Sequence, residues 1–334
     1  MIGRAAGLGM GRIGLAGVAA VCGALAASPY LLSLSGSSSS LILVYLAQLP
    51  LFLAGLWGGV NAAALAGLAA SIVLLAASNL MAVGLFAALN VVPVVLLMRQ
   101  ALLARPAADG GTEWYPPGLL TAWLTGLGLA GIGGALILRG GPDNLQASTR
   151  EALAPALDRL FAENASDRDE LAGLMAMIMP GVVAASWMIM TVTNGALAQG
   201  LLARFGASWR PSPDLAMLTL PLWVPVAFAL SAAATAFGGT GRFLGVNVMI
   251  ALGVPFCLAG LAVLHAMARR LPRPAVLLVG FYVLAGLFGW PLQRGRKSPA
   301  PTTEASAWRD RAMAASSRRS EPRDPGRERR WSPS

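Results

Sequence analysis

The sequence predicts an all-α fold, a polytopic helical bundle of eight to nine transmembrane helices, and three observations predict it. First, 56% of the 334 residues are hydrophobic and only 12% are charged, against about 25% charged in soluble domains. Second, the charges are segregated. Of 25 Lys and Arg, 11 follow Gln293, which leaves 14 for everything before it, all Arg. Third, Asp, Glu, Lys and Arg are missing from residues 13–98, 114–138, 171–203, 215–241, 243–268 and 274–293. A charge at the bilayer centre costs about 2.5–3.5 kcal/mol on insertion scales, and such runs are what that penalty leaves behind. The class is that of a multi-pass protein of the bacterial inner (cytoplasmic) membrane.

The runs divide into spans of about 20 residues. The first is expected at 13–34, closed by the Ser-rich turn 35–40. A stretch as long as 41–98 would make a rod of about 87 Å and must fold back twice. Trp57-Gly58-Gly59-Val60-Asn61 and Ser78-Asn79 are the natural turns, giving three short helices with almost no loop. Further spans are expected at 118–138, 171–200, 215–237, 246–268 and 274–292. The run 171–203 is too long for a straight crossing. It must tilt, project or break, with Pro180-Gly181 the weak point.

A polar insert, 139–170, separates two of the spans. Leu145, Leu153, Leu157, Leu160 and Phe161 recur there at helical spacing, as in an amphipathic helix lying at the interface. Ser166-Asp167-Arg168-Asp169 reads as a capping box opening the next span. The chain thus divides into a transmembrane domain, 1–293, and a basic tail, 294–334, whose Arg-, Ser- and Pro-rich composition predicts disorder. Arg4 and Arg12 ahead of an apolar stretch resemble a signal peptide. The stretch runs on to Leu34, however, and is long enough to span.

Sidedness follows from arginine. With nine spans and a cytoplasmic N-terminus, the inner loops hold Arg4, Arg12, Arg99, Arg105, Arg204, Arg210, Arg269, Arg270 and Arg273. The outer ones hold Arg139, Arg150, Arg159, Arg168 and Arg242. The asymmetry obeys the positive-inside rule. Nine spans would leave the basic tail outside and eight would bring it in, where it could meet anionic lipid.

Absences narrow the function. No span carries a carboxylate, Lys or Arg, which ion-coupled carriers generally need. There is no nucleotide-binding P-loop and no zinc-binding His pair. His265 is the single histidine, so a catalytic triad has no carboxylate partner at that depth. The expectation is a protein that is not an enzyme and has no cofactor and no metal. Met175 and Met179 have the spacing of a thioether copper pair, but packing is the simpler reading. Cys22 and Cys257 both lie in apolar runs and offer no disulfide framework.

What remains inside is amide, hydroxyl and aromatic. Asn61, Asn79, Asn90, Asn194, Gln199 and Asn247 lie in or beside apolar runs, with Thr191, Thr193 and Trp187 nearby. Such groups either bind an uncharged, vitamin-sized ligand or stitch helices together. Asn90, Trp187, Asn194, Asn247 and His265 are the ligand-binding candidates. Small-residue pairs, Gly7 with Gly11 and along Ala16, Ala20 and Ala24, license close helix contact.

Two blocks carry a family likeness. One is Leu56-Trp57-Gly58-Gly59 with Asn90-Val91-Val92-Pro93. The other runs Asn247-Val248-Met249-Ile250-Ala251-Leu252-Gly253-Val254-Pro255-Phe256 and on through Gly260 to His265. Over residues 10–292 the chain resembles the domain-of-unknown-function 2232 (YybS-like) bacterial membrane proteins. That family is similar to the substrate-binding (S) components of energy-coupling-factor vitamin transporters. The resemblance implies binding of a small molecule, with energy from a transmembrane coupling protein and ATPases. It also implies that Ala16, Ala20 and Ala24 contact the coupling protein. The alternative is a membrane scaffold for envelope assembly or cell shape, acting through loops and tail.

Overall fold

A computed structural model describes residues 12–34, 43–108, 110–161, 165–214, 218–272 and 274–289. The Ser-rich turn, the basic tail, Arg4, Gly7, Gly11 and Arg273 lie outside the described residues. The described residues fall into two compact units, divided after Arg270. In the second, the described element is the apolar helix Pro274–Gly289 (α11).

The first unit opens with α1, Arg12–Leu34. Residues 43–48 then wind in tight turns, with Leu46 N–H donating to Leu43 O and Leu49 N–H to Leu46 O. They lead into α2, Leu49–Gly58. Gly59 turns the chain at φ 84°, a conformation that disfavours any side chain, and α3 runs Val60–Ala77. Asn79 caps the next helix by accepting from Ala82 N–H at 3.0 Å. That helix is α4, Leu80–Phe86, and it continues through a π-helical turn, Ala87–Val91, into α5, Val92–Ala101. Both expected turns fall where Gly and Asn stand.

A two-stranded hairpin follows, β1 Ala104–Pro106 against β2 Thr112–Trp114. Its exposed pair, Arg105 and Glu113, meets at 2.8 Å. Hydrogen bonding from Arg105 holds the Glu113 carboxyl below the usual carboxylate range. The pair therefore contributes at neutral pH and loses its effect as pH falls through that lowered value. Both groups are solvated, so Glu113→Gln should move the thermal midpoint in detergent little. A large loss would show that the hairpin supports the bundle.

Helix α6 spans Pro117–Arg139, and Gly140 ends it at φ 74° by donating to the carbonyls of Leu136 and Ile137. Helix α7, Pro142–Leu160, is the amphipathic insert. It packs on α8, Ala165–Arg204, burying Leu145 and Leu157. Leu153 and Phe161 are half-buried and Leu160 is exposed. Helix α8 is already under way at Ala165, so Ser166 lies inside its first turn instead of capping it. Arg168 there bridges Asp158 and Asp169 at 2.8 and 2.9 Å.

Helix α8 is unbroken for 40 residues despite Pro180, so of tilting, projecting or breaking it does not break. Helix α9, Trp223–Ala234, is shorter than the expected 215–237. Helix α10, Gly239–Ala268, is longer than expected. Among the described residues, six helices are long and apolar enough to cross a membrane, and three apolar helices are shorter.

Packing rests on small residues. Helix α1 lies along α3 through Ala19, Gly23, Ala26 and Ala27, and a Cβ on Gly23 would strike the backbone of Ala66 and Ala70. Gly67 likewise receives Val91, and Gly128 receives Met188. Met188 is therefore a core residue, wholly buried.

One end of this unit is basic. Arg210, in the loop after α8, donates to Ala101 O at 2.9 Å and Tyr115 O at 2.8 Å. Gln199 donates to Arg210 O, Trp209 N–H to Leu56 O, and Arg269 pairs with Asp214. These bonds gather the C-termini of α2, α5, α8 and α10 with the start of α6. Arg99, Arg105, Arg204 and Arg269 all stand at that end. Arg139, Arg150, Arg159 and Arg168 stand at the other, on or beside α7, as the arginine count separates them.

Candidate functional site

At three of the prolines among the described residues, Pro50 and Pro93 at the starts of α2 and α5 and Pro180 inside α8, a side-chain amide repairs the backbone. Proline has no N–H and frees the carbonyl four residues before it. In lipid such a carbonyl must find another donor.

At Pro93 the freed carbonyl is that of Leu89, within the π-helical turn. It accepts from Gln48 Nε2 at 3.0 Å and from Trp187 Nε1 at 2.9 Å. At Pro50 the preceding turns tighten, so Leu49 N–H goes to Leu46 O and leaves Tyr45 O open. Asn194 Nδ2 fills it at 2.6 Å. At Pro180 the two groups that α8 would pair with each other, Gly181 N–H and Met177 O, are both held by Asn247. Its Oδ1 accepts from Gly181 at 2.6 Å and its Nδ2 donates to Met177 at 2.8 Å. An amide has been inserted into the helical ladder. Gly181 makes room, since a Cβ there would lie 2.8 Å from Asn247 O.

The five candidates divide accordingly. Trp187, Asn90 and Asn194 come together around residues 45–48 and the π-helical turn. Asn90 is buried and donates to Tyr30 Oη at 2.9 Å and to Phe86 O at 3.2 Å. Asn194, two turns after Trp187 on α8, also donates to its own Met190 O. Asn247 stands apart. It is fully buried, and its third bond goes to Phe243 O. His265 lies about 27 Å further along α10, half-buried, with Nδ1 against Leu261 O at 2.8 Å. Ala16, Ala20 and Ala24 are exposed, outside the α1–α3 contact.

Gln48 belongs to this centre, and sequence reasoning missed it. Its signal is Pro50, two residues on. Gln48, Asn90 and Asn194 share one property. Their nitrogens are hydrogen-bonded, while Gln48 Oε1, Asn90 Oδ1 and Asn194 Oδ1 are enclosed with no donor. Each such group calls for an explanation, because a buried acceptor without a partner costs about 1–3 kcal/mol.

A cavity of about 400 Å³ adjoins the centre, walled by Tyr45, Val182, Ile189, Met190, Asn194 and Ile250. It is almost wholly apolar and opens on the outer surface, where Tyr45 and Ile189 are exposed. Tyr45 Oη and Ser186 Oγ pair beside it at 2.7 Å. A second groove, about 420 Å³, follows α6 past Tyr115, Trp123 and Trp223. It lies away from the amides.

Trp187→Phe removes one of the two donors to Leu89 and leaves Gln48. It should cost about 0.6–1.7 kcal/mol, the range of interhelical hydrogen bonds in lipid. Unfolding in detergent measures it, and no loss at all would mean that Gln48 alone satisfies the carbonyl.

Residues 155–293, less than half of the chain, match the family described as "Predicted membrane protein (DUF2232)". The match contains the Asn247–His265 block and excludes the Leu56–Gly59 and Asn90–Pro93 blocks, so it is narrower than the 10–292 read from sequence. No curated protein and no solved structure matches the chain.

Proposed function

We propose, for this chain with its DUF2232 segment at 155–293, that it is a non-catalytic membrane subunit that binds a small neutral molecule among the helices of its bundle. The observation that carries the reading is the trio of enclosed, donor-less amide oxygens on Gln48, Asn90 and Asn194. Lipid offers such atoms nothing, and the amide nitrogens beside them are already committed to Leu89 O, Tyr45 O, Met190 O, Phe86 O and Tyr30 Oη. An occupant with hydrogens to give completes the set. The neighbouring cavity is of the size that holds small ligands.

The reading extends to an S-component-like role, in which a separate module supplies energy. Two features support it. The apolar runs lack the carboxylates that self-powered coupling uses. The exposed Ala16, Ala20 and Ala24 lie on one side of α1, where a partner helix could approach closely.

Gentle extraction followed by native mass spectrometry tests both parts. The expected spectrum shows the chain with a small-molecule adduct and an ATPase-bearing partner. A chain carrying neither overturns the reading; an adduct without a partner keeps the binding site and removes the energised role.

A further inference from the structure

We infer that the Gln48, Asn90 and Asn194 centre selects ligands as hydrogen-bond donors: its occupant is a neutral molecule carrying an N–H or O–H, and not an anion, a metal ion or a pure acceptor. This rests on the binding reading above and narrows it to a chemical class.

A side-chain amide has two N–H donors and one acceptor oxygen. Asn90 gives its nitrogen to Tyr30 and Phe86, and Asn194 gives its own to Tyr45 and Met190. Gln48 gives to Leu89. What these three side chains leave over is a second hydrogen on Gln48 and three oxygens. Tyr30, which accepts from Asn90, adds its phenolic hydrogen. The centre is rich in acceptors and poor in donors, so a molecule offering only acceptors gains little from entering.

Charge is excluded on separate grounds. An anion in the cavity would meet Asn194, whose side-chain oxygen repels it. A cation would sit in runs without a carboxylate, where burying uncompensated charge is costly. It would also lie near the start of α2, whose positive dipole end begins at Gln48. Neutral donors remain.

The three side chains belong to one neighbourhood. Gln48 and Trp187 share the carbonyl of Leu89, and Asn90 is the next residue. Asn194 holds Tyr45, three residues before Gln48. Tyr45 and Asn194 also wall the apolar cavity. An apolar ring or chain in that cavity, with its donor turned toward the amides, fits both chemistries.

Matched pairs of probes test the class. The full chain in lipid nanodiscs is titrated with indole against 1-methylindole and with benzamide against N,N-dimethylbenzamide, and affinity is read from thermal stabilisation. The donor-bearing member of each pair should bind, and the methylated member should be roughly tenfold weaker or more, since a site built around a hydrogen bond rejects the analogue lacking it. Asn194→Leu should erase the difference. Gln48→Met, close in shape, serves if that variant fails to fold. Equal binding by both members, lost in Asn194→Leu, overturns the donor rule and leaves the site. No stabilisation by any probe overturns both and assigns the oxygens to buried water alone.

Discussion

Asn247→Leu should destabilise the protein by about 2–4 kcal/mol, the largest effect expected of any single amide. Three hydrogen bonds end on this side chain, and two of them stand in for the rung that α8 lacks beside Pro180. Leucine would fill the space and leave Gly181 N–H and Met177 O facing each other across it. If α8 closes up, the pair finds itself and the loss stays near the roughly 0.6 kcal/mol average of interhelical bonds in lipid. It cannot close without moving α10, whose backbone touches Gly181. The unpaired groups then cost about 1–3 kcal/mol each. Gly181→Ala should be damaging for the complementary reason, since its methyl would meet Asn247 backbone at 2.8–2.9 Å. Overpacking of this kind costs about 1–3 kcal/mol. Unfolding of both variants and the double mutant in mixed micelles gives the coupling. Strictly additive losses would separate the two residues and remove the inserted-amide account.

Arg210→Met should be nearly as severe, at about 2–4 kcal/mol. Arg210 is 5% exposed, and among the described residues no carboxylate pairs with it. Its partners are carbonyls at the end of α5 and the start of α6, the first of them at the negative end of a helix dipole. Removing the guanidinium strands both carbonyls at about 1–3 kcal/mol each. Arg210→Lys should recover only part, since an ammonium lacks the planar fork that reaches two acceptors at once. Burial pushes this guanidinium below its ordinary value. The folded state holds the proton less tightly than the unfolded one, so stability would rise as pH climbs toward the arginine range. Near neutral pH the clamp should be indifferent to pH. A full rescue by lysine would show that charge alone, and not the fork, matters.

Much of the architecture is written in charge and glycine. The edges of the uncharged runs lie close to the start of α1, the end of α5 and the ends of α6 and α8. Gly59 and Asn79 mark turns because one tolerates positive φ and the other caps a helix. The unbroken course of α8 was not legible, because a proline is weak only until something fills the gap. What fills it, Asn247, lies 66 residues away. Asn90, Trp187 and Asn194 could be nominated as polar groups in apolar runs. That they converge, while Asn247 and His265 stand elsewhere, depends on helix packing. Gln48 escaped because a lone glutamine two residues before a proline shows no partner in the sequence, and Arg210 because a loop arginine looks like surface.

The dimensions of α8 have a mechanical consequence. Forty residues make a rod of about 60 Å, and a bilayer's hydrocarbon is about 30 Å thick. Part of it must stand clear of the lipid, and α7 sheathes that part with Leu145 and Leu157. A push on the sheathed end would travel through Asn247's splice to Asn194 without a joint to absorb it.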